Sequence, residues 1–169
     1  KIEKRSRFKK VDLSEQTEQK SSIIDQKYSS KLYDDLIRLC FVKEKKIRTL
    51  IFENLNTNWI LSLIHKNIYE QVYIHLKSKD YPPISIVAEQ IDDKQSRQKL
   101  IDLTFDFERF NPKYEMAIDC LVRLEQAALK DKIEILREKL KLVDDNMEIL
   151  SQLSSLEKDV GNIVQKYNE

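Results

Sequence analysis

Glycine and proline are almost missing from this chain, which contains one glycine and three prolines among 169 residues. The tight turns of β-hairpins and β-sandwiches depend on these residue types because of their special backbone geometry. Charged side chains make up 35% of the residues, above the roughly 25% of an average globular domain. Such a composition is typical of helices with solvated outer faces, so the sequence predicts an all-α fold.

The last third of the chain has apolar residues spaced alternately four and three apart. On the two sides of Asp144–Asp145, this spacing includes Leu129, Ile133, Leu136, Leu140 and Val143, and then Ile149, Leu153, Leu156, Val160, Ile163 and Tyr167. It is the spacing of one helix face packed along another helix. We therefore predict two long helices joined by a tight acidic turn, with Asp145 as the N-cap of the last helix and Glu148 completing a capping box.

A second apolar line on the first of these helices contains Leu121, Ala128, Ile135 and Leu142, each seven residues apart. One residue of offset on a helix is about 100° of rotation, so this line lies to the side of the first. Near its start, the line is expected to lie in the core of a larger bundle. Toward the turn, Ile135, Leu142, Met147 and Leu150 are either bundle core or the contact surface for a partner protein.

Three segments differ in composition along the chain. Residues 1–29 begin with a short basic run and continue as a polar stretch rich in Ser, Gln and Glu, which is typical of a flexible linker. Residues 30–110 contain several short helical patterns and are predicted to form a compact bundle. Asn111–Pro112 is predicted to begin the final section, 111–169, with asparagine as the N-cap and proline at the first helical position.

Composition disfavours several classes of protein. No apolar stretch approaches the roughly 20 residues of a membrane span, and no signal-peptide pattern opens the chain. The net charge of +1 gives no electrostatic footprint for nucleic acid over the whole chain. Cys40 and Cys120 are expected to be buried free thiols in a reducing cytosol. Because the first residue is not Met, we expect a fragment of a longer protein.

Patterns that carry catalysis or bind metals are weak in this sequence. His65 and His75 lie ten residues apart on one predicted helix, too far to share a metal, and are expected at the surface or at helix ends. Acidic pairs such as Asp34–Asp35 fall near helix starts, where carboxylates stabilise the helix dipole. No spacing favours a Ser-His-Asp or Cys-His arrangement. We therefore expect no catalytic site, no metal site and no cofactor in this fragment.

From Tyr33 to its end, the chain resembles the C-terminal helicase-binding domain of bacterial DNA primase, of the DnaG type. The similar stretches are YDDLIRLCFVKEKKIRTLIF, IHKNIYEQVYIHL, PPISIVAEQI and AIDCLVRLEQAALKDKIEILREKLKLVDDNMEILSQLSSLEKDV. The order of the pieces (a leading linker, a bundle of short helices and a terminal hairpin) is the strongest part of the resemblance. The hairpin turn differs from the family in lacking its usual glycine.

This resemblance implies a protein-interaction role in DNA replication. The terminal hairpin would dock on the N-terminal domains of the hexameric replicative helicase and form part of the primosome, in the bacterial cytoplasm. The parent enzyme would be a primase, a DNA-directed RNA polymerase (a nucleotidyltransferase), with its zinc-binding and polymerase domains N-terminal to Lys1. The fragment itself would not synthesise primers, would bind little nucleic acid directly, and would be a monomer or weak dimer alone.

The predicted partner-binding residues lie on the hairpin, where they would make a hydrophobic helix-in-groove contact with a polar rim. The set is Ile135, Leu142, Met147, Leu150, Leu153, Leu156, Lys158, Val160, Ile163, Gln165, Lys166 and Tyr167. Some of these side chains must hold the hairpin together, and the spacing does not separate them. The alternatives are a hairpin that homodimerises, the N-terminal domain of the helicase itself, and a single-strand nucleic-acid binder that uses residues 1–10.

Overall fold

The structure is a computed structural model that describes residues 30–77, 83–105, 107–142 and 146–167. The chain divides into two compact units, Lys1–Lys31 and Leu32–Glu169. Apart from residues 30 and 31, the first unit lies outside the described residues, and so does the predicted linker 1–29. The hydrophobic core begins at Tyr33 and belongs to the second unit.

Seven α-helices and two short 3-10 turns occur in the described ranges. The helices are α1 (30–40), α2 (Lys45–Asn54), α3 (Leu63–Lys77), α4 (Ile84–Gln90), α5 (Lys94–Phe105), α6 (Tyr114–Leu140) and α7 (Met147–Lys166). The 3-10 turns cover Thr57–Trp59 and Phe107–Arg109. No strand occurs within these ranges, so the predicted all-α fold class is confirmed.

The core is built from one face of each bundle helix and of the first half of α6. Its side chains include Leu36 of α1, Ile47 of α2, Ile68 of α3, Leu100 of α5 and Leu121 of α6, all at most 1% exposed. Each helix presents apolar residues at steps of three and four, which places them on one side of the helix. The buried face of one helix therefore meets that of its neighbours.

The predicted terminal hairpin is present, and its two helices are antiparallel. Arg137, in the second half of α6, donates to Glu157 in the middle of α7 at 2.9 Å. Glu125, in the first half of α6, accepts from Lys166 at the end of α7 at 2.8 Å. Residues that come later in α6 therefore contact residues that come earlier in α7.

The two ends of the hairpin are anchored differently. At its open end, Ile163 and Tyr167 belong to the same hydrophobic cluster as the bundle core, and the Tyr167 hydroxyl donates to Glu125 Oε2 at 2.7 Å. Toward its closed end, Ile133 and Leu153 are buried but lie outside that cluster. The hairpin thus begins as part of the bundle and continues as a two-helix seam of its own.

The predicted N-cap and first residue of the long helix are wrong. α6 begins at Tyr114 rather than Pro112, and Lys113 is its N-cap. Lys113 has an extended backbone and makes no side-chain cap hydrogen bond, while its carbonyl accepts from the Met116 N–H at 3.1 Å. Backbone geometry therefore sets the start of α6, and the predicted asparagine cap is not used.

The predicted capping box at the hairpin turn is also not found among the described residues. Asp144–Asp145, which includes the predicted N-cap, lies outside the described residues. α7 begins at Met147 with Asn146 as its N-cap, and the Asn146 side chain makes no cap hydrogen bond. Glu148 instead accepts from the Gln152 amide at 3.4 Å. This hydrogen bond lies within α7 and does not cap the helix.

Both cysteines are buried and unpaired, as predicted. Burial raises the pKa of the Cys120 thiol to about 12 and also raises the pKa of the Cys40 thiol. Both side chains are therefore protonated at neutral pH. A protonated buried thiol is a poor nucleophile and packs as a small apolar group, which is the role these two residues have in the core.

Candidate protein-docking surface

The second apolar line of α6 passes from the core to the solvent along its length. Leu121 is fully buried, Ala128 is half-buried, Ile135 is 56% exposed and Leu142, just beyond the end of α6, is 85% exposed. Residues seven apart lie on nearly the same side of a helix because seven residues make about two turns. The residues of this one apolar line are therefore buried in the core at the start of α6 and exposed to solvent at its end.

The start of α7 is also apolar and exposed. Met147 is 77% exposed and Leu150 is 48% exposed. Together with Ile135 and Leu142, they place four large apolar side chains around the closed end of the hairpin, which we call the tip set. Full burial of a side chain of this size is worth roughly 1.5–3 kcal/mol. A partner that covers the tip set would therefore gain substantial binding free energy.

The side chains of the tip set lie on more than one side of the hairpin. Ile135 is two residues from the buried Ile133, a rotation of about 200°, so it lies on the side of α6 opposite the seam. Leu150 is three residues before the buried Leu153, about 60° around the helix, so it borders the seam. A partner that contacts both residues must therefore reach two sides of the hairpin.

Most of the other apolar residues in the predicted set hold the chain together. Leu153, Ile163 and Tyr167 are buried, and Leu156 and Val160 are half-buried. Buried side chains cannot contact a partner while the hairpin keeps this structure. Burial thus separates a seam from the tip set, a distinction that the spacing alone left open.

The predicted polar rim lies on the half of α7 farther from the tip set. Lys158 and Gln165 are exposed. The Lys166 ammonium donates to both carboxylate oxygens of Glu125, at 2.8 and 3.0 Å, and lies 5.0 Å from the centroid of the Tyr167 ring. Lys166 is therefore already engaged within the chain, where it helps to fasten the open end of the hairpin.

A groove of about 420 Å³ runs beside the seam of the hairpin. It is lined by Lys130, Ile133, Glu134, Arg137, Glu157 and Val160. Four of these six residues are charged, and Arg137 and Glu157 bond to each other. The groove is therefore mainly polar, and the exposed apolar surface of the hairpin lies at the tip set.

His65 lies in the first turn of α3, at a helix end as predicted, but its side chain is buried and not at the surface. His65 is 5% exposed, its Nε2 lies 2.7 Å from Asp34 Oδ1, and its Nδ1 lies 2.6 Å from Ser62 Oγ. Lys99 also donates to Asp34, at 2.9 Å, so this carboxylate joins α1, α3 and α5. His65 lies three residues before the buried Ile68, and that position on an apolar face was the available signal of burial.

The Asp34 carboxyl is held ionised by its neighbours. Burial raises its pKa, but the hydrogen bonds from His65 and Lys99, together with the positive charge of Lys99, outweigh burial and hold the pKa below its usual value. A carboxylate that accepts charged hydrogen bonds is stabilised in its ionised form. Asp34 therefore acts as a tie within the bundle and does not serve the capping role predicted for it.

Comparison with known proteins does not assign a family. The chain matches no protein-family model, no curated protein and no solved structure. Among the described residues, no group of three His, Cys, Asp or Glu side chains is placed to hold a metal ion. No described helix is both long enough and apolar enough to cross a membrane.

Proposed function

We propose that this chain is a protein-interaction domain that docks a bacterial DNA primase on the N-terminal domains of the replicative helicase. The observation that carries the proposal is the tip set: four large apolar side chains exposed on a hairpin whose open end is anchored in the bundle. The resemblance of the sequence to the helicase-binding domain of primase suggests which partner covers them. In this role the chain positions an enzyme and makes no primers itself.

The fastening of the hairpin supports a docking role. Tyr167 and Lys166 tie its open end to Glu125, and Ile133 and Leu153 are buried in its apolar seam. A surface that is already formed before binding loses less conformational entropy when a partner covers it. The hairpin would hold the primase beside the strands that the helicase separates, which would couple priming to unwinding.

A pull-down against the purified N-terminal domains of the replicative helicase tests this proposal. We expect Leu150→Asp to abolish capture, because it places a charge in the apolar contact, where anchor residues contribute most of the binding free energy. Helicity measured by circular dichroism should not change, because Leu150 is half-exposed in the free chain. Asn162→Asp is the matched control, since it adds the same charge at an exposed position nearer the open end of α7.

Two outcomes would contradict the proposal. If the Leu150→Asp chain is captured as well as the Asn162→Asp chain, the tip does not carry the contact. If Leu150→Asp unfolds the chain, Leu150 is a core residue and the assignment of the tip set is wrong.

The same exposed side chains would also suit a second copy of this chain, which is the alternative function. Light scattering over a range of concentrations separates the two, because the docking proposal expects a monomer or a weak dimer. A stable dimer that Leu150→Asp dissociates would favour a homodimerising module instead.

A further inference from the structure

A serine, a histidine and an aspartate form a hydrogen-bonded chain at the start of α3, in the bundle, which we call the relay. Ser62 Oγ lies 2.6 Å from His65 Nδ1, and His65 Nε2 lies 2.7 Å from Asp34 Oδ1. The ring of Tyr33 lies 5.4 Å from that of His65, and Lys99 donates to Asp34. His65 is buried and Ser62 is half-exposed, so the relay runs from the interior to the surface.

The direction of the hydrogen bonds in the relay follows from the ionised carboxylate. Ionised Asp34 can only accept, so the proton it receives must come from His65 Nε2. In a neutral imidazole, Nδ1 then carries the lone pair and accepts from the Ser62 hydroxyl. With the imidazole neutral, the serine proton is directed at a base whose orientation is fixed by an aspartate, as in a nucleophile activated by a triad.

We propose that Ser62 is an activated nucleophile that attacks acyl esters, with His65 as its general base and Asp34 as a positioning residue. Ser62 Oγ forms a bond to the ester carbonyl carbon while its proton passes to His65 Nδ1. The bond to the alkoxy oxygen then breaks, and that oxygen takes the proton and leaves as an alcohol. Water next attacks the acyl group, His65 takes a proton from this water and returns it to Ser62 Oγ, and a carboxylic acid is released.

Ser62 is the N-cap of α3, since its carbonyl accepts from the Lys66 N–H at 2.9 Å and its Oγ accepts from the His65 N–H at 3.5 Å. We assign stabilisation of the oxygen that becomes negative to the N–H groups of Leu63 and Ile64, which lie in the first turn of α3, where a helix has no intrahelical acceptor for them.

The surface around Ser62 favours an ester with an apolar acyl group. Leu61 and Leu63, on either side of Ser62 in sequence, are 73% and 70% exposed. Tyr33 fixes this segment, because its hydroxyl donates to the Trp59 carbonyl at 3.5 Å and accepts from the Leu61 N–H at 3.3 Å.

An alkyl fluorophosphonate tests the nucleophile in the intact chain. Attack by Ser62 Oγ would form an oxygen–phosphorus bond and expel fluoride, with the serine proton passing through His65. We expect mass spectrometry to find Ser62 labelled roughly 100-fold faster than Ser151, an exposed serine of α7, since a general base contributes at least about that factor. His65→Gln should remove this advantage. Equal labelling of the two serines, or full labelling in the His65→Gln chain, would show that the relay only supports the fold.

A second readout separates a positioning role for Asp34 from a structural one. Asp34→Asn removes the carboxylate that accepts from His65 Nε2, so labelling of Ser62 should fall toward that of Ser151 in a chain that circular dichroism shows to be folded. Asp34→Glu keeps a carboxylate and should label Ser62 faster than Asp34→Asn does. Labelling of Ser62 in the folded Asp34→Asn chain at the rate of the unaltered chain would overturn the role of Asp34. Labelling is measured on the chain alone and capture with the helicase domains present, so failure of docking and failure of the relay are distinguishable.

Discussion

The core of the bundle and the tip of the hairpin are built from the same kinds of side chain, but only in the core are these side chains covered. Leu36, Ile47 and Val72 are fully buried in the bundle, whereas the members of the tip set are between 48% and 85% exposed. The spacing of apolar residues is helical in both regions. Spacing therefore identifies the apolar face of a helix, and the neighbouring elements decide whether that face is core or surface.

The largest expected effect on stability comes from comparing the buried and the exposed end of the second apolar line of α6. Leu121→Ala should lower the free energy of unfolding by roughly 3 kcal/mol, because it leaves a cavity in the core. Leu142→Ala, the matched change at the exposed end of the line, should alter it by no more than about 0.5 kcal/mol. Urea denaturation followed by circular dichroism measures both. Similar losses for the two variants would mean that the tip is part of the folded core.

The next effect concerns the hydrogen bonds that join Asp34 of α1 to His65 of α3 and Lys99 of α5 in the bundle. Asp34→Asn should cost roughly 2 kcal/mol at neutral pH, because it removes the charge and replaces one of the two oxygens that accept from His65 and Lys99 with a donor. The pKa of Asp34 is lower in the folded chain than its usual value, so its stabilising contribution is present above the unfolded pKa. That contribution is lost as pH falls through the folded pKa.

The check is a series of unfolding measurements from neutral pH to below about pH 3, near and under the reference pKa of Asp. The difference between the unaltered chain and Asp34→Asn should shrink toward the acid end. A difference that stays constant would show that the asparagine acts through packing and not through charge.

A smaller effect is expected at Gly161, on the exposed side of α7. A Cβ added there would meet nothing within 4 Å, and glycine inside a helix is about 1 kcal/mol less favourable than alanine. Gly161→Ala should therefore raise the free energy of unfolding by about that amount, measured by urea denaturation. It should leave capture by the helicase domains unchanged, because Gly161 is not in the tip set. Loss of capture would extend the contact along α7.

The smallest effect is expected across the middle of the hairpin. Arg137 and Glu157 bond at 2.9 Å, but both side chains are 54% exposed. A double-mutant cycle with alanine should give a coupling free energy of about 0.5 kcal/mol or less, and added salt should reduce it. A larger coupling would mean that this ion pair, and not the apolar seam, holds the hairpin closed.

The helical hairpin could be predicted from sequence because its seam is local and periodic. Leu153 and Ile163 repeat with the steps that pack one helix on another, and both are buried. The burial of Tyr167 is different, since it depends on Glu125 and the bundle core, which are distant in sequence. Spacing cannot supply such contacts, and so Ile163 and Ile135 were predicted together although only Ile163 is buried.

Contacts between polar residues that are distant in sequence could not be predicted from spacing either, as the relay shows. His65 and Asp34 are 31 positions apart, and their contact exists only because α1 and α3 are neighbours in the bundle. The pattern around Asp34–Asp35 was explained by helix capping, which is a local effect. A histidine three residues before a core isoleucine was the one local sign that its ring is buried and must find partners.

Methyl NMR of the chain titrated with the N-terminal domains of the replicative helicase tests most directly whether the tip set contacts the partner. We expect the methyl signals of Ile135, Leu142, Met147 and Leu150 to shift or broaden, while those of core residues such as Leu121 do not. Binding that perturbs bundle methyls and leaves the tip set unchanged, or no perturbation at saturating partner, would contradict this expectation.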